Sequence, residues 1–278
     1  MPRDITPQVR QALAGRYQVD HEIGRGGAAV VFLAHAPGGA LVALKVLRPE
    51  LGVSVAAQRF LREIQFISRL DHPSIGRVLD SGEQGGLVFY VMPYYDGPSL
   101  QQHLVREGTL GPAQAIRMGT ELLDALHHAH QRDIIHRDVK PDNIILTAEG
   151  ARLLDFGIAR AIALSGGPNL TQSGIAVGTA DYMSPEQISA SPGIDHRSDL
   201  YSVGCVLFEC LAGQAPFHHR GDGVILDGHL NRPAPDLRSV APSVPTGYAA
   251  VVARALRKSP AERWATAREM LEALSTAA

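Results

Sequence analysis

Only two cysteines occur in the 278 residues, Cys205 and Cys210, five positions apart in a stretch that reads as one helix. That spacing makes a bridge hard to form and matches no metal site, so a disulfide framework is excluded. A reducing compartment, the cytoplasm, is favoured, with two buried structural thiols. Neither sign of charge is in surplus, with 26 Lys and Arg against 28 Asp and Glu. Nucleic acid and anionic membranes are therefore not expected partners. No run approaches ~20 apolar residues, so no membrane segment is expected in this chain. The opening residues, Met1 to Pro7, carry no apolar signal region. Internal repeats and low-complexity segments are missing too. The 12 histidines are scattered. The adjacent pairs His127–His128 and His218–His219 lack the i, i+4 spacing of a helical metal site, which points to the surface.

What is present is a globular composition, 45% hydrophobic, long enough for one large domain or two lobes. The stretch Ile134 to Leu146 packs its charge between apolar flanks. There two apolar pairs bracket His136, Arg137, Asp138, Lys140, Asp142 and Asn143. Packing charge so tightly between apolar flanks is costly unless each group has a partner or a ligand. The stretch is either a solvated loop between strands or a rigid loop presenting an Asp, a Lys and an Asn to one substrate.

The chain before it is strand-rich. Residues 6–15 read as a leader helix, capped by Thr6, with Pro7 in its first turn and Gly15 at its end. Strands are predicted over 17–23, 30–34 and 41–46. The first two are joined by Gly24-Arg25-Gly26-Gly27-Ala28-Ala29, a tip whose amides can approach a ligand closely. A dinucleotide fingerprint needs a helix after the glycines, and here a strand follows. Lys45 sits in the apolar run Val42 to Val46, either snorkelling from an edge or held for a ligand. Helix 55–70 repeats Ala56, Phe60, Ile64 and Ile67 on one face. Glu63 points inward with them and needs a cation, Lys45 from within or Arg59 or Arg62 at the surface. Short strands are predicted over 76–80 and 87–92, and the breaker-rich link 93–98 is the lobe boundary.

The remainder is mostly helical, with helices predicted over 100–107, 112–131, 195–212, near 223–230, 248–257 and 265–274. Strands 143–146 and 151–154 form a hairpin about Glu149. That register sets Ile144 opposite Leu154 and Asn143 opposite Asp155. An amide oxygen beside a carboxylate suits Mg²⁺, a hard cation that favours phosphate company. Asp155-Phe156-Gly157 then opens a segment reaching Pro185-Glu186, whose middle has the composition of a mobile loop. Asp199, in the first turn of an almost wholly apolar helix, can accept backbone amides.

In order and context these motifs resemble the eukaryotic-like Ser/Thr protein kinases, bacterial in flavour, from about residue 17 to 274. The resemblance implies an α+β, bilobal fold, with a small β-rich N-lobe holding one main helix and a larger, mostly helical C-lobe. It implies a leader helix over 1–16, an N-lobe over 17–92, a hinge over 93–98, a C-lobe over 99–274 and a tail over 275–278. ATP is implied as co-substrate, held by Ile23, Gly24, Arg25, Gly26, Gly27 and Ala28, by Val31, Ala43 and Ile145 around the adenine, and by Met92 behind it. Pro93 and Tyr94 form the hinge, with the Tyr94 N–H as donor to the base. Lys45 holds the phosphates and is oriented by Glu63. Asn143 and Asp155 bind Mg²⁺, with Mn²⁺ as an alternative.

By the same resemblance Asp138 accepts the proton of the attacking hydroxyl and Lys140 neutralises the γ-phosphate. Lys140 and Thr179 match the Ser/Thr branch, and the segment up to Glu186 builds a platform for a protein substrate. Thr171 and Ser173 are candidate autophosphorylation sites whose phosphate Arg137 would pair. Glu186 pairs Arg263, Asp199 ties the loop to the central helix, and Ile67, Phe156 and His136 share one stack. A monomer or weak homodimer is implied.

There are departures. Ala29 replaces a glycine, Ser184 begins Ser-Pro-Glu, and Ser259 stands where an Asp is usual. Two other functions compete. A pseudokinase scaffold would lack Lys45, Asp138 or Asp155, and all three are here. A small-molecule phosphotransferase would have no use for the long platform segment.

Overall fold

The computed structural model describes residues 4–27, 29–47, 54–156, 180–219 and 221–277. The chain divides into two units. The first holds α1 (Thr6–Leu13), β1 (Gln18–Arg25), β2 (Ala29–His35), β3 (Leu41–Leu47), α2 (Ser54–Ile67), β4 (Asp80–Gln84) and β5 (Leu87–Pro93). Its antiparallel sheet has the order β1-β2-β3-β5-β4. Val30, Phe32 and Ala34, Val42, Leu44 and Val46, and Leu87, Phe89 and Val91 bury one face, because residues two apart share a face. Ile5, Val9 and Leu13 cover that face. Helix α1 is thus part of the core. Fully burying an aliphatic or aromatic side chain is worth about 1.5–3 kcal/mol, so this face is a large share of the unit's stability.

Several boundaries differ from those the sequence predicts. Helix α1 ends at Leu13, and its N-cap is Ile5, with no side-chain cap from Thr6. The Thr6 N–H instead donates to Asp4 Oδ1 at 2.9 Å. Strand β4 begins at Asp80, not 76, and is polar throughout. The turn Gly85-Gly86, with φ +58° and +74°, sets it opposite β5 and fixes its register. An edge strand of Asp, Ser, Gly, Glu and Gln has no apolar alternation to betray it.

The second unit holds α3 (Leu100–Glu107), α4 (Pro112–His130), β6 (Ile144–Thr147), β7 (Gly150–Leu153) and α5 (Pro185–Ile188). After them come α6 (Arg197–Ala212), α7 (Asp222–Asn231), α8 (Leu237–Val240), α9 (Thr246–Ala255) and α10 (Ala267–Ser275). Helix α3 starts on a reciprocal capping box between Ser99 and Gln102. Helix α6 runs buried from Ser198 to Leu211 and stops at Gly213, whose φ of +75° few other residues adopt. Cys205 and Cys210 lie in it, free and buried. Helix α8 falls in a Pro-rich stretch that reads as loop, and Asp236 caps it by accepting the Arg238 N–H at 3.0 Å. An α+β chain with a small β-rich unit and a larger helical one is what the sequence leads one to expect.

Candidate active site

Asp199 is the fixed point of the loop at residues 136–143. Its Oδ2 accepts the His136 N–H at 2.9 Å and its Oδ1 the Arg137 N–H at 2.8 Å. His130, on α4, donates from Nε2 to Oδ2 at 2.8 Å. Burial alone would raise the Asp199 carboxyl, but these donors, His130 foremost, hold it below the ordinary carboxylate value. The charged form is therefore the stable one, and one anion grips two successive amides.

That grip stabilises a costly backbone. Arg137 has φ +68°, a conformation worth about 1–3 kcal/mol of strain for a non-glycine residue. Its carbonyl accepts from Gln187 Nε2 at 2.8 Å. His136 is fully buried. Its Nδ1 accepts the Asp138 N–H at 3.2 Å, and its Nε2 donates to Leu154 O at 2.8 Å. This assigns the neutral Nε2–H tautomer. The ring lies 4.5 Å from that of Phe156, which is buried. Two members of the expected stack thus meet, and Ile67 is buried in the other unit.

Asp138 is held by one oxygen. Its Oδ2 meets Lys140 Nζ at 2.8 Å and Asn143 Nδ2 at 3.1 Å. Among the described residues nothing donates to Oδ1, which is the atom able to take a hydroxyl. Asn143 commits its Nδ2 to Asp138, to the carbonyl at 2.8 Å as well as the carboxylate. Its Oδ1 is left as a hard oxygen for a cation, which fits a divalent metal.

The hairpin register differs from the expected one. Ile144 faces Leu153, and Thr147 faces Gly150, so the turn is two residues, Ala148-Glu149. Gly150 enters β7 at φ +132°, close to the Glu121 carboxylate, and a longer turn is unnecessary. Asn143 therefore stands opposite Leu154, whose N–H donates to Asn143 O at 2.8 Å. Asp155 follows at φ +64°, the second strained non-glycine residue of the site.

In the first unit several of the expected nucleotide residues share one face. Gly24, Val31, Lys45, Tyr90 and Ser81 form a single cross-strand row through all five strands. Ala43 and Met92 face each other two residues further along β3 and β5. Lys45 Nζ lies 5.9 Å from the centre of the Tyr90 ring, which also meets Phe60 of α2. Glu63 is half-buried, one turn beyond Phe60. Gly24 and Gly26 are not required by the fold. A Cβ on either would lie 3.8 Å from its nearest neighbour, and neither has positive φ. Ile23 and Arg25 are exposed, and Arg25 pairs with Glu22. Gly27 is exposed at the tip, and Ile145 is half-buried on β6 of the second unit. The Tyr94 N–H does not fill its expected role. It donates to Leu41 O at 3.2 Å, because β5 stays paired with β3 through Pro93.

Glu186 and Arg263 form a bidentate pair, at 2.7 and 2.8 Å. Two further features escape a sequence reading. One is His130 on Asp199. The other is Tyr182, which donates to Glu209 Oε2 at 2.5 Å in a buried setting. Both join residues far apart in sequence, and local pattern carries no trace of them. His127 and His128 are half-buried, and His218 and His219 exposed. No helix among the described residues is long and apolar enough to cross a membrane. Ala28, Gly157, Thr171, Ser173, Gly178 and Thr179 lie outside the described residues.

A family described as "Protein kinase domain" matches residues 17–274. "Serine/threonine-protein kinase PknB" of Mycolicibacterium smegmatis is 40% identical over 272 residues, 94% of this chain and 42% of that protein. "Serine/threonine-protein kinase PknH" of Mycobacterium bovis is 37% identical over 262 residues, 93% of this chain and 43% of that one. The chain thus spans under half the length of these relatives. Among solved structures, a point mutant of the Mycobacterium tuberculosis PknI kinase domain superposes with a TM-score of 0.73 at 30% identity, covering 94% of this chain and 95% of that one.

Proposed function

The chain belongs to the protein kinase family, and we propose that it transfers the γ-phosphate of ATP to Ser and Thr hydroxyls of proteins. The observation that carries the reading is Asp138. Its carboxylate is steadied on one oxygen by Lys140 and Asn143, and among the described residues no donor meets the other. That oxygen orients the substrate hydroxyl and accepts its proton as the bond to phosphorus forms. Lys140, at 2.8 Å from the same carboxylate, neutralises charge on the transferring phosphoryl group. Positioning and electrostatics supply most of phosphoryl-transfer catalysis, and the network around Asp199 provides rigid positioning.

Asn143 Oδ1 and the Asp155 carboxylate would hold Mg²⁺ or Mn²⁺, which when bound neutralises phosphate charge. On the sheet, Lys45 takes the α- and β-phosphates with Glu63 orienting it. Val31, Ala43, Met92 and Ile145 are the residues proposed to line the base. Gly24 and Gly26, which the fold does not need, suit a backbone that approaches phosphate oxygens. The Tyr94 amide points toward β3, so the next one, of Tyr95, is the hinge donor to adenine. Thr171 and Ser173 are the proposed autophosphorylation sites, with Arg137 as phosphate partner, and Thr179 belongs to the peptide platform. A reducing, cytoplasmic setting and a monomer or weak homodimer complete the reading.

The test is transfer of ³²P from γ-labelled ATP to a mixed protein substrate with Mg²⁺, beside Asp138→Asn. The variant should lose about 10²–10⁴-fold in kcat. Equal incorporation by variant and wild type would remove Asp138 from the mechanism. Transfer to metabolites but not to proteins would replace the protein substrate.

A further inference from the structure

The sheet of the first unit is bounded by β1 and β4, at opposite ends of its strand order. One short segment, residues 5–17, grips both. At the β1 edge, Arg10 donates from Nε to Val19 O at 3.1 Å and from its terminal nitrogen to Asp20 O. At the β4 edge, Arg16 pairs with Asp80 Oδ2 at 2.6 Å and reaches Gln84 Oε1 at 3.3 Å. Tyr17 donates to the same Asp80 oxygen at 2.5 Å. Burial and Asp80 push the Tyr17 hydroxyl up to about 12, so it stays a donor. The Arg16 guanidinium also stacks 5.2 Å from the Phe89 ring centre. At the β4–β5 turn, a Cβ on Gly85 would lie 2.8 Å from that of Ala12, so helix and turn are in close contact. Between these ends, Val9 and Leu13 are wholly buried against β2, β3 and β5.

We propose that residues 5–17 are a strap that sets the geometry of the nucleotide-facing side of the sheet, with Leu13 and Asp80 as positioning residues. The proposal rests on the kinase reading. Strand alternation supplies the coupling. The strap bears on Val30, Phe32, Leu44, Val46 and Val91, and their chain neighbours Val31, Ala43, Lys45 and Met92 point to the opposite face. A backbone shift behind a strand moves both faces together, because close-packed interiors transmit strain. Asp80 lies opposite Val91, and the next pair, Ser81 and Tyr90, ends in the ring beside Lys45. The family match begins at residue 17, so the strap lies just outside it except for Tyr17.

The experiment compares the whole chain with Leu13→Ala, Asp80→Ala, Arg16→Ala, Arg16→Lys and Tyr17→Phe. Three quantities are read for each: Kd for a fluorescent ATP analogue, KM for ATP against kcat, and the melting temperature. Leu13→Ala should raise Kd and KM for ATP about tenfold, and Asp80→Ala or Arg16→Ala about threefold, with kcat nearly unchanged. Arg16→Lys should recover most of that loss. Tyr17→Phe removes one hydroxyl, so it folds if the others do not, and its Kd should rise about twofold. A lowered melting temperature with Kd and KM unchanged would make the strap merely structural and overturn the proposal. An equal fall in kcat would overturn it too. If the wild type transfers no phosphate, the kinase reading fails, and the analogue Kd still decides the strap.

Discussion

The Glu186 carboxylate accepts both terminal nitrogens of Arg263, whose side chain is wholly shielded from water. Arg263 also donates to Arg257 O, Lys258 O and Arg197 O, so its guanidinium is saturated. Glu186 takes a further bond from Ser198 Oγ at 2.6 Å. The pair binds the start of α5 to that of α6 and to the loop before α10.

Arg263→Ala strands a buried carboxylate, and loss of one partner of a buried pair costs about 3–5 kcal/mol. Urea unfolding should show the midpoint lowered at constant slope, by that energy divided by the slope. A change under about 1 kcal/mol would mean that water reaches Glu186 freely.

The same pair sets an acid limit. Burial raises the Glu186 carboxyl, but Arg263 and Ser198 outweigh it and hold the group below its ordinary 4.5. A depressed folded value means that the unfolded chain protonates first. The stabilisation is complete above pH ~4.5 and is lost as pH falls through the lower folded value. Thermal melts from pH 6 down to pH 3 should show this loss, and Arg263→Ala should flatten it.

His229 makes stability depend on pH nearer neutrality. It is fully buried, hydrogen-bonded through Nδ1 to the Tyr201 hydroxyl at 2.8 Å, and flanked by Phe217. Burial first, and the Lys258 charge second, lower it from 6.5 to about 4. The unfolded chain takes up the proton near pH 6.5 and the folded one only near 4. Stability therefore falls as pH drops between these values and is level above them. His229→Asn should reduce the slope in that window, as read by unfolding at pH 5 and 7.

Asp199→Asn keeps the shape and removes the charge. It should lower kcat by about 10-fold or more through misplacement of Asp138, while KM for ATP stays put. Amide exchange at residues 136 and 137 should accelerate together. Slow exchange with low kcat would assign the loss to chemistry and not to loop geometry.

Much of this is legible in the chain, for physical reasons that also mark where reading stops. The loop around Asp138 is local, since its partners Lys140 and Asn143 follow within five residues. Strands β2, β3 and β5 announce themselves as short apolar runs bounded by turn residues. The hairpin register escapes because a single glycine, Gly150, shortens the turn and moves every pair by one. Strand β4 is misplaced because a polar edge strand carries no periodic signal. Helix α1 reads as a leader by position, and only long-range packing makes it core. Family resemblance assigns the Tyr94 amide to the base, and ladder geometry overrides it.

Asp199 holds its loop by backbone amides and not by side chains. A grip on N–H groups is blind to what residues 136 and 137 carry beyond Cα. The side chain at 137 could be exchanged for another and its bond to Asp199 would persist, whereas the His136 ring also holds the Asp138 N–H and Leu154 O. Proline is the exception, since it alone has no N–H to offer. A single carboxylate thus leaves the loop's anchorage open to change in its side chains and closed to change in its backbone.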